Sequence, residues 1–170
     1  MSQHQTEPSA LQVGDPAPDF ALYSSDKELT RLSDMLGHPV VLLFFPLAFT
    51  STCTRELCAT RDDLSTYKDL DAKVFGISVD SLHSLNRYKQ DHQLNFPLLS
   101  DFNKDTVRAY HAVYEEFGYG MRGVGKRAAF VIDQEGMIRY AEVLENAGLL
   151  PDFEGIQNTL RTLQPASTKK

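Results

Sequence analysis

The residue types that could do chemistry gather in one stretch, where Cys53 follows Pro46 and Thr50 and precedes Cys58. An apolar run at residues 40–45 ends at Pro46, a short turn follows, and a helical pattern begins beside Cys53. Backbone N–H groups at the start of a helix point outward unpaired, and the helix dipole adds partial positive charge there. Both favour an anion, so a cysteine at that position is poised as a thiolate, the nucleophilic form of sulfur. Thr50 carries a hydroxyl three residues before it. Pro46 has a rigid ring and no N–H, so it can shield the sulfur without offering a proton. A free cysteine can equally be a small buried hydrophobe. Pro46 and Thr50 together, behind a strand, favour the reactive reading.

Cys58 is the only other thiol in the chain. A cysteine oxidised to sulfenic acid condenses with a second thiol to form a disulfide. Five residues along an α-helix correspond to about 7.5 Å of rise and about 140° of rotation. Such a pair lies beyond the roughly 7 Å Cα separation that a disulfide tolerates. A Cys53–Cys58 bond therefore requires the start of the helix to unwind. The alternative is that Cys58 is a buried helix residue and an outside thiol takes its place.

The elements that must position these residues follow from pattern. Residues 40–45 and 74–79 are β-branched and aromatic runs, as in strands covered on both faces. Leu57, Leu64 and Tyr67 recur at helical spacing and predict a helix over about 52–70. Asp80 or Ser81 caps a further helix through 94, with Leu82, Leu85 and Tyr88 on one face. Shorter segments are a strand at 28–32, a helix capped by Ser33, a strand at 96–100 and a helix at 105–110. Residues 127–133 and 137–144 form a hairpin across a Gln-Glu-Gly turn, and 152–163 close the chain as a helix. Residues 13–22 read as a proline-punctuated opening segment. Strands alternating with helices, then a hairpin, predict an α/β domain with a mixed central sheet flanked by helices.

At 170 residues the chain fits a single domain at 11–165, between disordered tails at 1–10 and 166–170. With 42% hydrophobic and 24% charged residues it has the balance of a soluble protein. A net charge of −6 argues against general nucleic-acid or anionic-membrane binding. No apolar run is long enough to span a bilayer. The first residues lack the basic start and apolar core of a signal peptide, so a cytoplasmic location is expected. Two cysteines in a reducing compartment point to catalysis rather than a structural staple. The five histidines and two cysteines form no ligand-like cluster, and no phosphate, flavin or nicotinamide loop is present, so no metal or cofactor is expected.

Pro46-x-x-x-Thr50-x-x-Cys53 behind an apolar strand resembles the peroxidatic-cysteine signature of the peroxiredoxins, thiol peroxidases with a thioredoxin-like fold. The words at 44–50 and Glu56-Leu57 resemble the alkyl hydroperoxide reductase E type, whereas Cys58 resembles the second cysteine of the peroxiredoxin Q (bacterioferritin comigratory protein) type. The resemblance spans residue 13 to the final helix. It implies reduction of hydrogen peroxide or organic hydroperoxides through a Cys53 sulfenic acid. The thiolate attacks one oxygen in line and the other leaves as hydroxide or alkoxide. Thr50 would contact the peroxide and the sulfur, and an arginine would stabilise the developing charge. The resemblance gives that role to Arg127, with Arg55 and Arg61 as local rivals, and has Glu56 orient the arginine. Lys126 and His111 read as a solvated lysine and a partly buried histidine.

The resemblance further implies recycling by a thioredoxin- or glutaredoxin-like reductant, with resolution by Cys58 through the unwinding that the helix geometry requires. It also implies a homodimer joined near the active site, for which Phe49, Tyr114 and the segment 117–121 offer apolar surface. Two other functions use the same sulfur. Thiol–disulfide exchange favours Cys-x-x-Cys, and here four residues intervene. A peroxide sensor or holdase would share the first step and differ in lacking turnover with a reductant.

Overall fold

The computed structural model describes residues 10–164. The expected tails at 1–10 and 166–170 lie outside those residues, apart from an exposed Ala10. Seven strands form one sheet: β1 (Ala21–Ser24), β2 (Leu29–Arg31), β3 (Val40–Phe44), β4 (Lys73–Ser78), β5 (Leu98–Ser100), β6 (Arg127–Ile132) and β7 (Ile138–Leu144). Their order across the sheet is β2-β1-β5-β4-β3-β6-β7. The centre is parallel, β4 lying between β3 and β5, while β6 and β7 on one side and β1 and β2 on the other run antiparallel. The mixed sheet expected from the alternation of patterns is present.

The helices are α1 (Ser51–Asp62), α2 (Leu64–Asp69), α3 (Leu82–His92), α4 (Asp105–Ala109) and α5 (Phe153–Thr162). Side chains alternate across the sheet with period two, so each strand feeds both faces. Val41, Leu43 and Phe45 pack with Ala129, Val131, Leu57, Tyr67, Leu85, Tyr88, Ile156 and Leu160, beneath α1, α2, α3 and α5. Val40, Leu42 and Phe44 pack with Phe130, Ile132, Phe20, Val107 and Tyr110 on the opposite face. Gly76 makes room for its core neighbours: a Cβ there would meet Leu98 Cδ2 at 2.8 Å and the Phe45 ring at 3.3 Å.

Four local expectations need correction. The helix expected over 52–70 is two, because Asp63 leaves helical angles at φ −101° and ψ 9°; an aspartate inside a helix favours such local breaks. Ser33 is no cap. The turn at Leu32–Met35 is a 3-10 helix that starts after Arg31, where Leu32 is buried, and the Ser33 N–H donates to Asp19 Oδ1 at 3.0 Å. The strand near 96–100 begins only after Pro97, which has no N–H to give a ladder. The opening segment contributes a strand after all, β1, paired antiparallel to β5.

Candidate active site

β3 carries the chain into the site. Phe45 N–H still donates to Ile77 O at 3.0 Å, and the buried Pro46 ends the ladder. The turn that follows is held from two sides. Ala48 N–H donates to Asp80 Oδ2 at 2.8 Å, which also accepts from the Ser78 hydroxyl at 2.7 Å. Phe49 takes a left-handed conformation with φ +66°, uncommon for a non-glycine residue. Ser81 is the residue that caps α3, accepting from Ser84 N–H. Asp80 instead anchors the site's loop, a part its sequence position did not reveal.

Thr50 is the N-cap of α1, yet its side chain makes no capping bond. Its hydroxyl donates backward to Leu47 O at 2.8 Å, which leaves its lone pairs free to accept. Cys53 is the third residue of the helix, in the first turn where N–H groups lack helical partners. It is only 1% exposed. Cys53 lines a hollow of about 210 Å³ together with Pro46, Thr50, Phe117, Arg127 and Gly148. That is room for a small substrate. Larger hollows elsewhere among the described residues are lined by no cysteine.

Arg127 reaches the sulfur because of strand parity. Phe44 pairs with Ala128, so Arg127 shares the face of Ala129 and Val131, the face that α1 covers. Its Nη2 donates to Cys53 Sγ at 3.3 Å and its Nη1 to Glu56 Oε1 at 2.6 Å. Nε and Nη2 also donate to Ala147 O at 3.0 and 2.9 Å. The guanidinium is thus fixed by three partners in a buried site. Burial opposes its charge, but Glu56 and Cys53 outweigh that, and its pKa moves up.

Glu56 is fully buried one turn after Cys53, and its Oε2 has no hydrogen-bond partner among the described residues. Burial pushes this carboxyl up to about 7, against the pull of the Arg127 ion pair and with a further push from Glu142. The local rivals are elsewhere. Arg55 is exposed, and Arg61 bonds Asp62 and the carbonyl of His92. Lys126 pairs with Glu145 at 2.5 Å rather than standing free in solvent, and His111 is half-buried in a left-handed turn.

Both cysteines are free thiols. Cys58 lies in the same unbroken helix, half-buried against the core beneath α1. Ala147 O was not foreseen as a partner of Arg127, and nothing in sequence could flag it, since every residue carries a carbonyl. Among the described residues there is no group of three metal-ligating side chains, and no helix is long and apolar enough to cross a membrane.

Residues 13–141 match the AhpC/TSA family. The chain belongs to this family of peroxiredoxins. It is 36% identical over 166 residues to the chloroplastic 2-cysteine peroxiredoxin of Chattonella marina var. antiqua, an alignment covering 91% of this chain and 80% of that one. Among solved structures it is similar to peroxidoxin BcpB of Mycobacterium tuberculosis, with TM-score 0.80 and 28% identity over 91% of this chain and 99% of the other. Peroxiredoxin Q of Xanthomonas campestris gives TM-score 0.74 and 28% identity over 84% and 90%. The peroxiredoxin therefore has the thioredoxin-like α/β fold and is a thiol-dependent peroxidase.

Proposed function

We propose that Cys53 is the peroxidatic residue, and that the Arg127 Nη2–Cys53 Sγ contact at 3.3 Å is the observation that carries this reading. A charge-assisted donor at the sulfur favours the thiolate and faces the charge that develops when the O–O bond breaks. The thiolate attacks the terminal oxygen of ROOH. The S–O bond forms, the O–O bond breaks, and RO⁻ leaves to take up a proton as ROH, with Cys53 left as a sulfenic acid. Thr50 accepts from the peroxide O–H with the lone pairs its bond to Leu47 leaves free. Pro46 shields the sulfur from stray nucleophiles, and Glu56 and Ala147 O hold the guanidinium flat. Glu56 acts through Arg127 as a positioning residue. Cys53→Ser abolishes peroxide consumption in the presence of a dithiol reductant; turnover retained by that variant overturns the assignment.

Cys58 then resolves the sulfenic acid. Its thiol condenses with Cys53–SOH, releasing water and forming the disulfide. α1 must open for this, since its Ser51–Asp62 span is unbroken. A thioredoxin- or glutaredoxin-like dithiol reduces the bond, in the cytoplasm on this reading. The intact helix supports a second reading, in which an external thiol attacks Cys53–SOH directly and Cys58 stays a packing residue. The exposed Phe49, Tyr119 and Met121, close in sequence to the pocket residues Thr50 and Phe117, support a homodimer. Tyr114 contributes less, because its ring packs on Phe117 and its hydroxyl donates to Leu144 O.

A further inference from the structure

Tyr88 belongs to no part of the cysteine motif, yet it touches the motif on both sides of Thr50. It is fully buried in α3. Its hydroxyl lies 2.9 Å from the Thr54 hydroxyl. Thr54 has one proton, already donated to Thr50 O at 2.8 Å, so Tyr88 is the donor in the shared bond. Burial pushes the Tyr88 phenol up to about 12, so it keeps that proton at any working pH. The Tyr88 ring also meets Phe49 and His92 edge to face, each at 4.9 Å between centroids, and lies tilted against Phe45. Phe49 is the residue held at φ +66°, a conformation that persists only where surrounding contacts impose it. Phe49 is otherwise 55% exposed.

The far end of α1 is tied down separately. Arg61 Nη1 donates to His92 O at 2.7 Å, and Asn95 donates to Arg61 O at 3.3 Å. Both ties lie beyond Cys58. Opening of residues 51–58 therefore breaks the Tyr88 contacts and leaves the Arg61 ties intact. Formation of a neutral sulfenic acid removes the charge from the Arg127–Cys53 bond, so the Tyr88 contacts become a larger share of what still holds those turns.

We propose that Tyr88 is a positioning residue that latches the first turns of α1, through Thr54 and Phe49, and sets how readily Cys53 and Cys58 meet. This rests on the reading that Cys58 resolves the sulfenic acid by condensation with loss of water, a step that needs no outside oxidant. The latch favours the folded, peroxide-reactive site, and its release favours the disulfide.

The test is amide hydrogen exchange across residues 51–58 in reduced wild type, Tyr88→Phe and Thr54→Val, with the rate of disulfide formation after peroxide measured on the same proteins. Loss of one neutral hydrogen bond is expected to speed exchange in that segment roughly two- to tenfold. Exchange in α5 stays unchanged, disulfide formation accelerates by a similar factor, and less Cys53 is overoxidised at high peroxide. Thr54→Val also loses its bond to Thr50 O and so exchanges at least as fast as Tyr88→Phe. The double variant exchanges no faster than Thr54→Val, because the Tyr88 bond is already gone. Exchange in 51–58 equal to wild type in both single variants overturns the latch. Faster exchange with no disulfide in any protein keeps the latch and overturns resolution by Cys58.

Discussion

Arg127 and Cys53 stand 74 positions apart in sequence and 3.3 Å apart in space. The arginine arrives at the start of a buried strand and the cysteine in the first turn of a helix on the same face of the sheet. Neither end has another place to go: Arg127 is locked to Glu56 and Ala147 O, and Cys53 is walled in by core.

Arg127→Lys keeps a positive charge but loses the planar fork that serves three partners at once. Its second-order rate constant with hydrogen peroxide is expected to fall about 10²- to 10³-fold, the usual cost of losing one donor at a developing charge. Arg55→Ala, which removes an exposed side chain, is expected to stay within about twofold of wild type. Stopped-flow single-turnover rates on the three proteins give the comparison. A large loss in Arg55→Ala with none in Arg127→Lys would reverse the assignment.

Thr50→Val removes the hydroxyl and keeps the branched shape. The rate constant drops by about 10²-fold or more if that oxygen accepts from the peroxide O–H, whereas Thr50→Ser retains most of it. Full activity in Thr50→Val with a loss in Thr50→Ser would mean that Thr50 matters for shape alone.

Glu56 makes stability depend on pH in a direction opposite to most carboxylates. Its folded-state pKa, about 7, lies above the ordinary value of 4.5. Between those two values the folded state holds more protons than the unfolded state, so its contribution to stability falls as pH rises. Below 4.5 and above about 7 the contribution is flat. The full difference is on the order of 3 kcal/mol. Denaturant unfolding of wild type and Glu56→Gln across that window should diverge, the variant gaining relative stability with rising pH and still accepting from Arg127. Parallel curves would show that Glu56 is ionised throughout.

Much of the site was legible because its core is local. Pro46, Thr50 and Cys53 lie within eight residues, and the continuous apolar runs of β3, β4 and β6 mark strands buried on both faces. Arg127 and Glu56 were reachable through family likeness, since no local pattern links residues so far apart. The carbonyl of Ala147 carries no residue-type signal. Asp80 looked like a helix cap because aspartate before a helix usually is one, and only the fold sets it under Ala48 N–H. β1 was hidden by its mixed, half-exposed pattern near the margin of the sheet, where it lies between the short strands β2 and β5.

The most direct test of the account is the intact mass of the protein after one equivalent of peroxide, with peptide mapping, on wild type and Cys58→Ser. Wild type is expected to lose two hydrogens, mapped to a Cys53–Cys58 bond, while Cys58→Ser gains one oxygen on Cys53. A stable gain of one oxygen on Cys53 in both proteins would contradict resolution by Cys58 and leave a peroxidase that depends on an external thiol. An unmodified Cys53 in both would contradict the central claim that this sulfur is the nucleophile.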